Sequence, residues 1–239
     1  MEISPDSIIL WQWRFIIINA TLVFSWLVMA LLVIISLLIT KNLSTGEHIS
    51  RWQSGLEMTV IFIKEQIRDI TQSDPLPYLP FLGALLLFIS VSNLLSPVPG
   101  YHPPTGSIYT TAALALCVFF AVPVFGITRL GIKGYLKHYI QPTVFMLPFN
   151  IIGEFSRTLA LAVRLFGNVM SGTMIAAILL SVVPLFIPVL MHLLELLVGQ
   201  IQAYIFTVLA TVYIASASKT QTEDTEEEAV YQDEDENEI

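Results

Sequence analysis

The chain contains one cysteine, Cys117, and it lies inside an apolar stretch. A single cysteine excludes an intramolecular disulfide framework and a Cys-x-x-Cys metal pair. Charge is scarce as well: 13% of the residues are Asp, Glu, Lys or Arg, against about 25% in soluble globular domains. Between Asp74 and Arg129 there is no such residue, a run long enough for two bilayer crossings at about 20 residues each. Basic residues are missing from the last twenty positions, Thr220 to Ile239, which hold ten of the nineteen acids. Residues 220–239 therefore read as an acidic, disordered cytoplasmic tail, too polar to offset its ordering entropy by burial. Without the tail the formal charge of −8 becomes +2, and residues 1–219 read as one membrane-embedded unit.

Other absences narrow the function. There is no GxxxxGK[ST] run to cradle a nucleotide and no HExxH spacing for a metal. His48, His102, His138 and His192 stand far apart in sequence, so no metal or cofactor is expected. No basic stripe points to nucleic acid. The first residues are acidic rather than basic and precede an apolar run too long for a signal peptide, so that run is expected to remain in the mature protein.

What is present is hydrophobic: 55% of the residues. The expected fold is an all-α membrane protein with five transmembrane helices and one amphipathic surface helix. The first span runs from Phe15 to Thr40, 26 residues. Between Glu47 and Thr71 the apolar residues Trp52, Leu56, Val60, Ile63, Ile67 and Ile70 recur at three- and four-residue steps among charges. That rhythm is an amphipathic helix, lying on the membrane surface or packed against a partner subunit. Two spans follow, Leu79–Leu95 and Ile108–Thr128, joined by a loop dense in helix breakers. The last block, Tyr139 to Ser218, is interrupted near Pro184 and Pro188 and reads as a hairpin of two long helices. A continuous helix from Tyr139 to Ser181 would be about 65 Å long, so it must tilt, break or project.

Lys41, Arg51, Lys64, Arg68, Arg129, Lys133, Lys137 and Lys219 fall on one side of this layout, and the loops at 96–107 and 182–188 carry no base. The positive-inside rule puts those loops and the N-terminus outside, and the tail in the cytoplasm.

Ionisable residues within spans are costly and mark function by default. Asn150, Arg157, Arg164 and Ser171 fall at seven-residue intervals, with Glu154 and Asn168 at four-residue steps, on one helix face. His192, Glu195, Gly199 and Gln202 make a polar face on the next helix. Two such faces can line one water-accessible cavity. Plainer readings exist for most members. Arg157 can snorkel to the headgroups, Glu154 and Arg157 fit an ion pair, His192 fits an interfacial residue, and Asn150 and Ser171 can bond backbone. Arg164 is too deep for snorkelling, and a guanidinium cannot shed its charge. An anion must face it: Glu195, or a carboxylate on another subunit.

The run Arg164-Leu-Phe-Gly-Asn168 with Gly172, the run Gln202-Ala-Tyr-Ile-Phe206 continuing to Val212-Tyr-Ile-Ala-Ser216, and the Gln141-Pro142 and Pro148 pattern resemble the signature of F-type ATP synthase subunit a. The resemblance covers about residues 75–218. It implies a stator ion-channel subunit, not catalytic alone, whose two long helices tilt around a ring of rotor c subunits, with peripheral-stalk b subunits and a catalytic soluble sector as further partners beside membrane lipids. Its setting would be the bacterial cell inner membrane. By the same resemblance Arg164 is the essential arginine facing the ring carboxylate, Asn168 lies near the aqueous path, Gln202 stands across the hairpin, and Glu195 lines the outward half-channel. Three departures stand out. Thr173 replaces a common Glu or His, and Asn150 replaces an acid while one appears at Glu154; Thr158 also replaces a common proline. These departures and the acidic tail resemble a divergent branch such as the sodium-pumping N-type ATPases. The rival class is a secondary ion-coupled transporter, for which internal repeats are expected and none is visible.

Overall fold

The computed structural model describes residues 9–13, 16–41, 51–98, 100–140, 146–182 and 187–218. The acidic tail, Lys219, Gln141-Pro142 and Pro184 lie outside the described residues.

Six helices dominate: α1 Ala20–Thr40, α2 Arg51–Thr71, α3 Leu79–Leu94, α4 Ile108–Ile140, α5 Met146–Val182 and α6 Ile187–Ser218. Ahead of them, β1 (Ile9–Trp13) pairs antiparallel with β2 (Ile16–Asn19). This hairpin corrects the expected first span, because the helix begins at Ala20 and not at Phe15. Ile16-Ile17-Ile18 is a β-branched run that suits extended backbone, and pairing with β1 holds it there, since the similar run Val33-Ile34-Ile35 is helical within α1. The helix that remains has 21 residues, about 31 Å, still enough for one crossing.

Among the described residues, four helices are long and apolar enough to cross a membrane, within Ala20–Thr40, Ile108–Tyr135, Pro148–Leu180 and Val189–Ala217. The fifth expected span, α3, has only 16 residues, about 24 Å against a hydrocarbon core of about 30 Å. Turns at both ends lengthen it: Tyr78 and Leu79 donate to the Pro75 carbonyl, and Ser96 donates to that of Asn93.

The amphipathic rhythm produces α2 as expected, and its end is set by Gln72, whose φ of 50° leaves the helical region. Part of its apolar side is covered by this same chain, while Val60 stays exposed. Ile63 and Ile67 are buried in the common core, and the Tyr204 hydroxyl of α6 donates to Gln66. Lys64, Glu65, Arg68 and Asp69 remain exposed.

α4 is bent at Gly131, whose φ of 73° and ψ of 164° interrupt the helix. Few residues other than glycine adopt that backbone without strain. Past the bend, Tyr135 folds back onto Gly126 so closely that a Cβ there would lie 2.6 Å from its ring. Tyr139 belongs to this helix, which corrects the hairpin's expected start: α5 begins at Met146.

The core lies where α3, α4, α5 and α6 meet. Leu82, Leu85 and Ile89 of α3, Val118 and Val122 of α4, Leu161 and Leu165 of α5, and Phe206, Ala210 and Ile214 of α6 are all buried there. Their three- and four-residue spacing gives each helix one inward stripe. The opposite stripes of α5 and α6 carry Ile152, Phe155, Leu159 and Val163, and Leu190, Leu193, Leu197 and Ile201, all exposed.

Candidate functional site

One seam of the fold is built from polar pairs between α3 and α6. Ser90, Asn93 and Ser96 follow one another at three-residue steps along α3 and its terminal turn, so they advance along one side. Each meets a partner about a hundred residues away. The Ser90 hydroxyl donates to Gln200 Oε1, and Gln200 Nε2 returns a bond to the Ser90 carbonyl at 3.0 Å. Asn93 Nδ2 donates to the Gly199 carbonyl at 2.8 Å, while its Oδ1 accepts from Thr105 at 2.8 Å. Gly199 is what permits this approach, since a Cβ there would sit 3.0 Å from that of Asn93.

At the end of the seam the Ser96 hydroxyl donates to Glu195 Oε1 at 3.2 Å. The other carboxylate oxygen, Oε2, lies 3.6 Å from His192 Nδ1, an ion pair whenever that imidazole is protonated. Three helices enclose a cleft beside this carboxylate, of about 120 Å³. A single water needs only about 10–15 Å³ of such space, so the cleft has room for several. Its polar lining is Asn93, Ser96, Asn168, Ser171 and Glu195. Gly172 faces Glu195 across it, where a Cβ would make ordinary contact at 3.7 Å. Beyond the seam, in the loop after α3, Tyr101 is half-buried; burial pushes its phenol above the ordinary value of 10, and the Ser92 hydroxyl opposes the shift.

Asn168, Ser171, Glu195 and His192 thus come together, while other expected members do not join them. The Ser171 hydroxyl donates to the Asn168 carbonyl and that of Thr173 to the Met170 carbonyl, each at 3.0 Å. Such back-bonding commits both protons to their own helix. Gln202 is buried, and among the described residues its Nε2 has no hydrogen-bond partner. Arg157 places its guanidinium 5.7 Å from the centre of the Tyr213 ring, and it forms no ion pair with Glu154. Glu154 and Asn150 engage other groups of the chain.

Arg164 stands apart. It is the middle residue of the 37-residue α5, and its side chain is exposed on the open stripe between Leu159 and Val163 on one side and the cleft on the other. Among the described residues no acid or hydrogen-bond acceptor engages it, and Glu195 is committed to Ser96 and His192. Of the two anions considered for Arg164, the one within this chain is therefore occupied elsewhere.

Asn93, Ser96 and Thr105 were not singled out from the sequence. A signal existed: polar residues in an otherwise apolar, uncharged helix usually hydrogen-bond across to a neighbour. Among the described residues, no three His, Cys, Asp or Glu side chains group as metal ligands.

The family model for the ATP synthase A chain matches residues 22–215. ATP synthase subunit a 2 of Acaryochloris marina is 60% identical over 219 residues, 92% of this chain and 94% of its own length. ATP synthase subunit a 1 of Crocosphaera subtropica is 60% identical over 221 residues, 92% and 96% of the two chains. ATP synthase subunit a 1 of Chlorobaculum parvum is 57% identical over 225 residues, covering 94% of this chain and all of the relative. With its apolar spans and its Arg164-Leu-Phe-Gly-Asn168 run, this multi-pass membrane chain belongs to the ATP synthase subunit a family.

Proposed function

We propose that the chain is the stator ion-channel subunit of a rotary ATP synthase or ATPase. In this reading two offset half-channels, one open to each side of the membrane, carry H+ or Na+ to and from carboxylates on a ring of rotor c subunits. Arg164 is the charge that separates them. The cleft beside Glu195 is the outward half-channel, and the exposed stripes of α5 and α6 are the surface along which the ring turns. Peripheral-stalk b subunits and the soluble catalytic sector complete the complex in a bacterial inner membrane, with the N-terminus outside and the C-terminus in the cytoplasm.

The physical logic is electrostatic. An ion entering past Glu195 neutralises a ring carboxylate, which can then face lipid without the cost of a bare charge. After nearly a full turn the carboxylate meets the inward path, where Arg164 favours the charged form and the ion leaves. The fixed cation also blocks direct leakage between the paths. Each charge crossing is worth about 2.3 kcal/mol per 100 mV, so several crossings must be accumulated for each ATP. ATP chemistry itself belongs to partner subunits.

The observation that carries this reading is the state of Arg164: a permanent cation at the middle of a span, exposed among apolar side chains. Leaving such a charge unpaired at the bilayer centre costs at least about 2.5 kcal/mol, which a passing carboxylate from outside the chain removes. The test is ATP-driven ion uptake into vesicles by the assembled complex, wild type against Arg164→Ala, with and without sodium and a protonophore. Loss of uptake in a mutant that stays assembled supports the reading. Normal pumping by the mutant ends it.

A further inference from the structure

Arg157 lies seven residues before Arg164, which places it on nearly the same face of α5, about 10.5 Å closer to the start of the helix. Like Arg164 it is exposed, and among the described residues it enters no ion pair. An exposed guanidinium on a long flexible stem near the end of a span ordinarily snorkels to the headgroups. Here its carbon Cζ lies 5.7 Å from the centroid of the Tyr213 ring, inside the roughly 6 Å range over which an aromatic face attracts a cation.

The ring is well held. Tyr213 packs against the buried cluster that includes Leu161, Ala162 and Ile214. The end of α6 is closed by α4, where the Ala217 carbonyl lies 3.3 Å from the position a Gly126 Cβ would take. Tyr213 sits late in α6, eighteen residues beyond Glu195, and so at the opposite end of the hairpin from the Glu195 cleft. A fixed aromatic face and a mobile cation meet across the two helices, with the cation on the stripe that carries Arg164.

We propose that Tyr213 is a positioning residue for ion translocation: its ring holds the Arg157 guanidinium on the exposed stripe of α5, where it acts as a second fixed cation on the inward side of Arg164. The inference rests on the rotor-facing reading of that stripe. A ring carboxylate that has released its ion beside Arg164 is then held ionised while the ion departs into inward water, because a neighbouring cation favours the charged form. Arg157 need not touch the carboxylate for this. It has only to remain at depth, and the ring supplies the restraint.

The test uses the assembled complex in vesicles, with ATP-driven uptake measured for wild type, Tyr213→Phe, Tyr213→Trp, Tyr213→Leu, Arg157→Gln and the Arg157→Gln/Tyr213→Leu double variant. An aromatic face at a partly exposed site shifts the cation's placement by about two- to five-fold. Uptake should fall by that factor in Tyr213→Leu and in Arg157→Gln. It should stay near wild type in the Phe and Trp variants, which keep a ring. In the Arg157→Gln background Tyr213→Leu should add no further loss, since two residues acting through one interaction are not additive. Losses that multiply, or a Phe variant as slow as the Leu variant, overturn the proposal. Should the Leu variant fail to assemble, Phe and Trp carry the test: both near wild type is the expected result, and a Phe rate as low as that of Arg157→Gln overturns it. Arg164→Ala is measured alongside. If it pumps normally, the rotary reading itself has failed; if it is inactive while the other losses multiply, only the role of Tyr213 is wrong.

Discussion

The α3–α6 seam and the outer stripe of α5 solve opposite problems with polar residues in apolar surroundings. In the seam, the Ser90, Asn93 and Ser96 side chains bond to Gln200, Gly199 and Glu195 within the same chain. On the stripe, Arg164 carries a full charge and, among the described residues, meets no partner in the chain. A seam that satisfies its own groups stabilises the fold. A full charge left unpaired on an exposed stripe fits a partner outside the chain. In the proposed reading, the contrast separates residues that hold the subunit together from the one that meets the rotor.

Breaking the stripe should have the largest effect. Arg164→Gln should bring ATP-driven uptake down to the background of empty vesicles while assembly, read by co-purification of a ring of small two-helix subunits, persists. Arg164→Lys should also be impaired, because lysine can lose its proton and lacks the planar fork.

Breaking the seam should act on folding rather than on coupling. Asn93→Leu removes a second bond to the Gly199 carbonyl and leaves the buried Thr105 hydroxyl without its partner, at about 1–3 kcal/mol for the stranded hydroxyl. The expected result is a lower thermal midpoint and less assembled complex, with normal coupling in whatever assembles. A Gly199→Val variant should do the same by overpacking, at about 1–3 kcal/mol, since even a Cβ there meets Asn93 at 3.0 Å.

Glu195 ends the seam and also borders the cleft, so its variants sharpen the comparison. Glu195→Gln keeps the shape and the Ser96 contact but removes the titrating group. Uptake should slow markedly while the thermal midpoint moves little. Ser96→Ala should have a smaller effect, because it removes one hydrogen bond to the carboxylate, worth at most about 1.5–3 kcal/mol, and leaves the carboxylate itself in the cleft. A several-fold change in uptake is the expected upper range.

The smallest effect concerns alkali. With the Tyr101 phenol pushed above its ordinary value by burial, the folded chain holds that proton after an unfolded chain has released it. Stability therefore falls as pH rises past about 10, where the unfolded tyrosine ionises. Tyr101→Phe should flatten this part of the pH–stability curve and leave the neutral range unchanged.

Much of this was legible in the sequence, unevenly. The hairpin and its deep arginine follow from composition and seven-residue spacing alone, since periodicity is local. The amphipathic α2 follows for the same reason, but what covers its apolar side does not: Ile63 and Ile67 are buried against helices far away in sequence. The seam was missed because Asn93 and Gly199 are 106 residues apart and their pairing depends on how the helices pack. Gln202 looked like part of an open polar face by helical angle, yet it is buried, because angle says which residues share a side and not what that side meets. The start of α1 was misplaced because hydropathy does not distinguish an apolar strand from an apolar helix.

The claim that Arg164 answers to a charge outside this chain can be met directly by asking what touches its stripe. A photoreactive side chain at Val163, exposed beside Arg164, would be irradiated in the assembled complex, with the same group at Leu161, buried on the inner side of α5, as the control. The account predicts a cross-link from position 163 to the rotor-ring subunit, and none to that subunit from position 161. Cross-links from 163 only to lipid or to this chain's own helices, in a complex that retains its ring, would contradict it.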